Sequence, residues 1–163
     1  MVTLRPIQLQ DREAMLDILT DDTVKQTYVL PDFADRRDAL PLFRRLAELS
    51  RDESRYVRGI CLEERLIGFL NDVEIQDGSI ELGYVIHPDF QGKGYMTNAL
   101  RSAVDALFSM GYREIICGAF EENAASIRVM VKAGMHKLSR TDEVEYRDKR
   151  HRCVYYSIMK QEE

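Results

Sequence analysis

A chain of 163 residues is the length of one ordinary domain, enough to bury a core without help from disulfides or metal. Its apolar fraction of 45% and charged fraction of 31%, with only 9 Gly and 4 Pro, exclude a disordered, collagen-like or fibrous chain. Lys plus Arg number 23 against 28 Asp plus Glu, and the resulting net charge of -5 argues against a nucleic-acid partner and suits substrates that arrive as cations.

In chain order, residues 3–7 read as a first strand, and Asp11 as the cap of a helix carrying Ala14, Met15, Ile18 and Leu19 at helical spacing. Asp21 and Asp22 break that helix, and residues 28–32 read as a loop. A second helix covers 35–50; Pro41 fits if the helix proper begins at Ala39 with Asp38 as its cap. The period then turns from helical to extended, with strands over 56–62, 66–76 and 79–87. Asp77-Gly78 between the last two is a type I′ hairpin signal, since both central residues need positive φ. A Gly-bearing loop after Pro88 leads into a helix over 94–110 with Met96, Leu100, Ala103, Val104, Leu107 and Phe108 on its apolar face. A strand over 114–120, a helix over 123–133 closed by Gly134, and a hairpin of 135–147 and 150–160 around Asp148-Lys149 complete the chain. The order is βααβββαβαββ, an α/β fold with a mixed sheet, and with no linker or repeat it reads as a single domain over 1–163.

Cys61, Cys117 and Cys153 are widely spaced and form no C-x-x-C, which is neither a disulfide framework nor a zinc site. His87, His136 and His151 make no H-x-x-x-H pair, so no metal is expected. The first residues lack an apolar signal core, and no run approaches ~18 apolar residues. The expectation is a cytoplasmic domain with no membrane partner.

The most informative stretch is Ile86-His87-Pro88-Asp89-Phe90-Gln91-Gly92-Lys93-Gly94-Tyr95-Met96-Thr97. A strand ends, Pro turns the chain, and two glycines lead into an amphipathic helix. Unpaired N–H groups at such a helix start form an anion cradle. The same spacing also fits a plain strand-to-helix turn. It is neither a Walker A loop nor a dinucleotide fingerprint, whose third Gly position holds Thr97.

The run Gln91-Gly92-Lys93-Gly94-Tyr95-Met96 resembles the Q/R-x-x-G-x-G/A signature of GNAT-type N-acetyltransferases. The stretch from Asn123 through Ser126, Arg128, Val129 and Lys132 to Gly134 resembles that family's N-x-x-S-x-R-V-x-x-K-x-G-F helix, in the RimJ/RimL-like branch of ribosomal-protein N-terminal acetyltransferases. Leu4-Arg5-Pro6 and Glu81-Leu82-Gly83-Tyr84 are similar to that branch as well, so the likeness spans nearly the whole chain. It implies a GNAT fold, a mostly antiparallel sheet splayed between its fourth and fifth strands and flanked by about four helices. It also implies acetyl-CoA as co-substrate. Backbone groups of Val85 and Ile86 would then meet the pantetheine arm. Amides of Gly92, Gly94, Tyr95, Met96 and Thr97 would hold the pyrophosphate, with Gln91 and Lys93 beside it. Asn123 would bond the pantetheine region, and Arg128 or Lys132 would meet adenosine phosphates. Met96 departs from the signature's Gly or Ala; the amide cradle survives if its side chain turns to the core.

Acetyl transfer to an amine needs a base for the ammonium and a proton for the leaving thiolate. A two-residue turn at Asp77-Gly78 sets Gln76 opposite Ser79, Glu81 opposite Glu74 and Gly83 opposite Asp72. Phe69, Val73, Ile75, Ile80, Leu82, Tyr84 and Ile86 then make the core face. Carboxylates sharing the other face raise one another's pKa. Asp72 and Glu74 equally suit a water-facing edge, which leaves Glu81 as the base, acting directly or through water. Where many family members carry an acidic Tyr, this chain has Met130, and the RimL-like branch implies Ser126 instead. A first-turn Ser bonded to backbone is the competing account. Tyr28, Tyr155 and Tyr156 are the other candidate donors, while Cys117 reads as core and His87 as structural. The basic run 147–152 reads as a solvated hairpin tip.

The expected activity is an N-acetyltransferase working by direct transfer in a ternary complex, its acceptor amine a small molecule or a protein N-terminus. The amine would approach from the first two helices, the 28–33 loop and the final hairpin. A homodimer is compatible with this reading. The rival is a non-catalytic acyl-CoA sensor or interaction module on the same fold, which would need neither Glu81 nor Ser126.

Overall fold

The computed structural model describes residues 1–162. Seven strands, β1 (Val2–Arg5), β2 (Val57–Leu62), β3 (Arg65–Gln76), β4 (Ser79–Ile86), β5 (Glu114–Phe120), β6 (His136–Tyr146) and β7 (Lys149–Met159), form one sheet in the order β1-β2-β3-β4-β5-β7-β6. It is mixed, with β4 and β5 parallel and β1/β2, β2/β3, β5/β7 and β6/β7 antiparallel. The helices are α1 (Arg12–Leu19), α2 (Val24–Thr27), α3 (Leu40–Leu49), α4 (Tyr95–Ser109) and α5 (Ala124–Lys132). The chain divides into two compact units, one of Met1–Asp72 with Tyr84–Ala99 and one of Val73–Gly83 with the chain from Leu100 on.

In the first unit the apolar stripes of α1 and α3 meet β2 and β3 in a core built on Ile7, Met15, Ile18, Leu19, Phe43 and Phe69. Asp11 does not cap α1 as expected. Its carboxylate takes both guanidinium nitrogens of Arg5, at 2.7 and 2.9 Å, and the N–H of Gln8. The acids expected to end the first helix start another, since Asp21 Oδ1 accepts the N–H of Val24 and opens α2. This short helix brings the count to five. Asp35, not Asp38, caps the turn leading into α3: its Oδ1 accepts from Arg37 N at 2.8 Å, while Asp38 Oδ2 accepts from Asp35 N at 3.1 Å. That reciprocal pair is a capping box, and Pro41 falls in the tolerated first turn of α3.

In the second unit the parallel β4/β5 ladder runs from Ser79↔Glu114 to Leu82↔Cys117. At the other edge, Arg147 and Asp148 take φ of 53° and 60°, so the type I′ turn is there and Tyr146 pairs with Lys149. The expected Asp148-Lys149 turn is thus one residue late. At Asp77-Gly78 only Gly78 has positive φ, 79°, so that turn is not type I′. In β6, Lys137 faces Tyr156 and Thr141 faces Val154, so Leu138, Ser139 and Arg140 share the single opposing residue Tyr155.

Candidate active site

The loop ahead of α4 lies in the first unit. His87 is structural: its Nδ1 accepts the N–H of Asp89 at 3.1 Å and shapes the Pro88–Phe90 turn. Gly92 and Gly94 then take φ of 76° and 83°, and a Cβ at either would meet nothing within 4 Å. These glycines are required by backbone conformation rather than by crowding. The first bond of α4 runs from Asn98 N to Gly94 O at 3.1 Å. The N–H groups of Tyr95, Met96 and Thr97 ahead of it are the orphan donors of the helix start. Met96, which departs from the signature, is 6% exposed, its side chain buried in the core. Gln91 Nε2 donates to Ile86 O at 3.4 Å, and the exposed Lys93 has its ammonium 5.9 Å from the Phe90 ring centre.

Arg65 was missed by the sequence reading. Its guanidinium carbon lies 4.9 Å from the centre of the Phe90 ring and adds a second cation to this loop. No local motif could have revealed a residue so far from the loop in sequence. On β4 the Val85 carbonyl packs so close to Gly68 that a Cβ there would stand 2.3 Å from it, and His87 N donates to Ile67 O. Backbone groups alternate along a strand. Val85 therefore faces β3, and of the two expected pantetheine contacts Ile86 is the one turned to the opposite edge.

The remaining residues lie in the second unit. Asn123 is the N-cap of α5, its Oδ1 accepting from Ser126 N at 3.2 Å, which leaves its Nδ2 as the donor group. Arg128 and Lys132 are exposed on α5, Met130 is fully buried, and Arg101 Nη2 holds the Lys132 carbonyl at 2.6 Å.

Glu81 is the expected base, its side chain 12% exposed. Burial pushes its carboxyl up, Arg140 opposes this, and Glu74 and Asp142 add to it. The expected trio of carboxylates needs correction, because Asp72 is spent elsewhere. It is buried with Arg55 Nε and Nη2 at 2.6 and 3.1 Å. Val73 and Ile75 are also not core but 58% and 39% exposed; the β3 end projects with both faces open, so alternation carries no burial there.

Arg140, Asp142 and Tyr155 complete the surroundings of Glu81. Arg140 Nη1 lies 3.7 Å from Glu81 Oε1 and its Nη2 lies 3.3 Å from Asp142 Oδ2. Its guanidinium carbon is 3.9 Å from the centre of the Tyr155 ring, and Tyr155 Oη donates to Asp142 Oδ2 at 2.7 Å. The bulge that carries Arg140 left no readable period in the sequence. Burial and the bond to Asp142 push the Tyr155 phenol up. Tyr28 donates to Asn71 Oδ1 at 2.7 Å and is likewise pushed up by burial. Cys117 is fully buried with its thiol pushed up, as a core residue should be. Also unforeseen is His151, buried on Phe120 with ring centres 4.1 Å apart and its Nδ1 2.5 Å from Glu122 Oε1.

The family model of the acetyltransferase (GNAT) domain matches residues 1–136. The probable N-acetyltransferase YjcK of Bacillus subtilis (strain 168) is 28% identical over 146 residues, 83% of this chain and 81% of that protein. The uncharacterized N-acetyltransferase p20 of Bacillus licheniformis is 25% identical over 167 residues, 99% of this chain and 94% of its own. Among solved structures, the ribosomal L7/L12 alpha-N-protein acetyltransferase RimL in complex with coenzyme A superposes with a TM-score of 0.85 at 17% identity, covering 97% of this chain and 93% of that one. The spermidine N-acetyltransferase from Vibrio cholerae, in complex with CoA and spermine, gives 0.81 at 17% identity, covering 97% and 95%. At such identities the structural likeness is one of fold.

Proposed function

The chain belongs to the GNAT acetyltransferase family, and from that premise we propose that it moves the acetyl group of acetyl-CoA directly to a primary amine. The acceptor is a protein N-terminus or a small-molecule amine, and the reaction runs in a ternary complex on one cytoplasmic domain over 1–163. The observation that carries the reading is the open left-handed turn of Gly92 and Gly94, with the orphan N–H groups of Tyr95, Met96 and Thr97 behind it. Such donors suit a pyrophosphate, and Lys93 and Gln91 stand beside them. Ile86, more than Val85, offers backbone groups to the pantetheine arm. Asn123 supplies its Nδ2 to the same arm, and Arg128 and Lys132 supply cations for the adenosine phosphates.

Acetyl-CoA brings the activated thioester; the chain moves the protons. Glu81 accepts a proton from the acceptor's ammonium, and the neutral nitrogen attacks the thioester carbon as the C–S bond breaks. Ser126 Oγ donates its proton to the departing thiolate and regains one from the newly acylated nitrogen. The raised Glu81 carboxyl is a stronger base than an ordinary one, closer in pKa to the proton it must take. The Asn-x-x-Ser pattern that joins Asn123 to Ser126 favours the RimJ/RimL-like branch.

Thermal shift with acetyl-CoA and CoA, then free-thiol release with a panel of amines, tests the reading. Stabilisation by CoA with turnover is expected. No stabilisation by either ligand would overturn the cofactor assignment, and stabilisation with no turnover on any amine would favour the acyl-CoA sensor.

A further inference from the structure

Three Arg–carboxylate contacts in this chain differ in kind. Arg5 grips Asp11 with two bonds of 2.7 and 2.9 Å, and Arg55 grips Asp72 with two of 2.6 and 3.1 Å. Both are two-pronged pairs of the sort that hold a fold together. Arg140 is held loosely instead, at 3.7 Å from Glu81 and 3.3 Å from Asp142, with its side chain 44% exposed. It also sits in the β6 bulge, where three residues face one and the backbone has slack.

Its surroundings are built for a cation. The Tyr155 ring offers its face. Asp142 is oriented by the Tyr155 hydroxyl. Glu81 is buried enough that its carboxylate needs a positive neighbour. The charged and titratable groups around Glu81 are Glu74 on β3, Cys117 on β5, Arg140 and Asp142 on β6, and Tyr155 and Cys153 on β7. Among the described residues, Arg140 is the one cation of this set.

We propose that Arg140 is a tethered stand-in for the acceptor's cation: its guanidinium occupies the seat formed by Glu81, Asp142 and the Tyr155 ring, and the acceptor's ammonium displaces it on binding. This rests on the reading of Glu81 as the base. Arg140 keeps the buried carboxylate ionised in the absence of substrate, and the ammonium takes over that role as Arg140 swings out toward solvent. The exchange selects acceptors that arrive charged, because a neutral molecule cannot replace the guanidinium without leaving Glu81 unpaired. Arg140 is a specificity-determining residue, not a catalytic one.

The test is a backbone-amide NMR titration of the full chain with ethylguanidinium chloride and with propylammonium chloride, matched for ionic strength with NaCl. In Arg140→Ala the seat is vacated, and ethylguanidinium should bind there at least fivefold more tightly than to the wild type, with shifts at Gly118 and Tyr155. Adding Glu81→Gln to that variant should abolish the gain, and Arg140→Lys should behave as wild type. Arg140→Gln replaces the Ala variant if that does not fold. Equal dissociation constants for the wild type and the vacated variant would overturn the proposal, as would a gain that survives the loss of the Glu81 charge. The titration needs neither acetyl-CoA nor turnover, so its failure is distinct from a failure of acetyl transfer in the thiol-release assay.

Discussion

Tyr155 lies directly across from Gly118 in the β5/β7 ladder, and its ring covers the glycine so closely that a Cβ at 118 would stand 2.8 Å from Tyr155 Cε1. The missing side chain is what lets the ring reach Asp142 and support the Arg140 guanidinium. Gly118→Ala forces the ring to move. The expected cost is about 1–3 kcal/mol of stability, read by urea denaturation, together with a drop in kcat/KM of roughly tenfold or more, equivalent to about 1.4 kcal/mol. A variant with unchanged stability and activity would show that the ring position does not matter.

Glu81 carries a pH signature of definite sign. Its carboxyl is raised above the ordinary 4.5, chiefly by burial, so the folded chain holds that proton more tightly than the unfolded one. The stabilising contribution is complete below the ordinary value and lost as pH rises through the raised one. At neutral pH the ionised Glu81 therefore costs stability, and Glu81→Gln should raise the thermal midpoint. The same substitution should lower kcat by about 10²–10⁴-fold and remove the acid limb of the kcat/KM profile. That limb in the wild type should lie above the range of an ordinary Glu. A variant both less stable and fully active would refute both halves.

Local signals made the framework legible. Gly134 ends α5 with φ of 94°, where the sequence places the helix stop, while Asn123, expected inside the helix, is its N-cap. The Gly-x-Gly turn was readable because positive φ and an open helix start leave a compositional mark. What escaped reading depended on other parts of the chain. Asp72 looked like a partner of Glu81 by strand alternation, but Arg55 from a preceding turn had already claimed it. Val73 and Ile75 kept an apolar alternation with nothing packed over them to use it. Arg140 reached Glu81 only through a two-residue excess in β6, and a bulge has no sequence period.

The Asp72 correction makes its own prediction. With its side chain 2% exposed and its charge met by Arg55, Asp72 is structural. Arg55→Ala strands a buried carboxylate and should cost about 2–4 kcal/mol in urea denaturation, somewhat less than a fully buried pair because Arg55 is partly solvated. At temperatures where the variant stays folded, its kcat/KM should match the wild type. A large loss of activity without a loss of stability would return Asp72 to the reaction.

Gly94 tests the cradle without a steric complication. A Cβ there meets nothing, yet its φ of 83° lies where side chains are strained. Gly94→Ala should cost about 1–2 kcal/mol of backbone strain. The turn can relieve it only by redirecting the orphan amides of Tyr95 to Thr97. CoA affinity by calorimetry should then fall about tenfold, while the affinity of the Arg140→Ala variant for ethylguanidinium should be untouched by adding this change.

Asn123 Oδ1 accepts the Ser126 N–H at 3.2 Å, and the roles of the two residues separate by substitution. That bond uses the serine backbone and not its hydroxyl. Ser126→Ala keeps the N–H and therefore its bond to Asn123 Oδ1. If Ser126 Oγ protonates the thiolate, kcat should fall by about 10²-fold with the KM for acetyl-CoA unchanged. Asn123→Asp preserves an acceptor for the cap but removes the Nδ2 donors. Stability should hold while the KM for acetyl-CoA rises. Asn123→Ala should lose both the cap, worth about 1 kcal/mol, and the cofactor contact. Full kcat in Ser126→Ala would pass the acid's role to one of the tyrosines. The raised phenol of Tyr155, already donating to Asp142, makes Tyr156 the next residue to substitute.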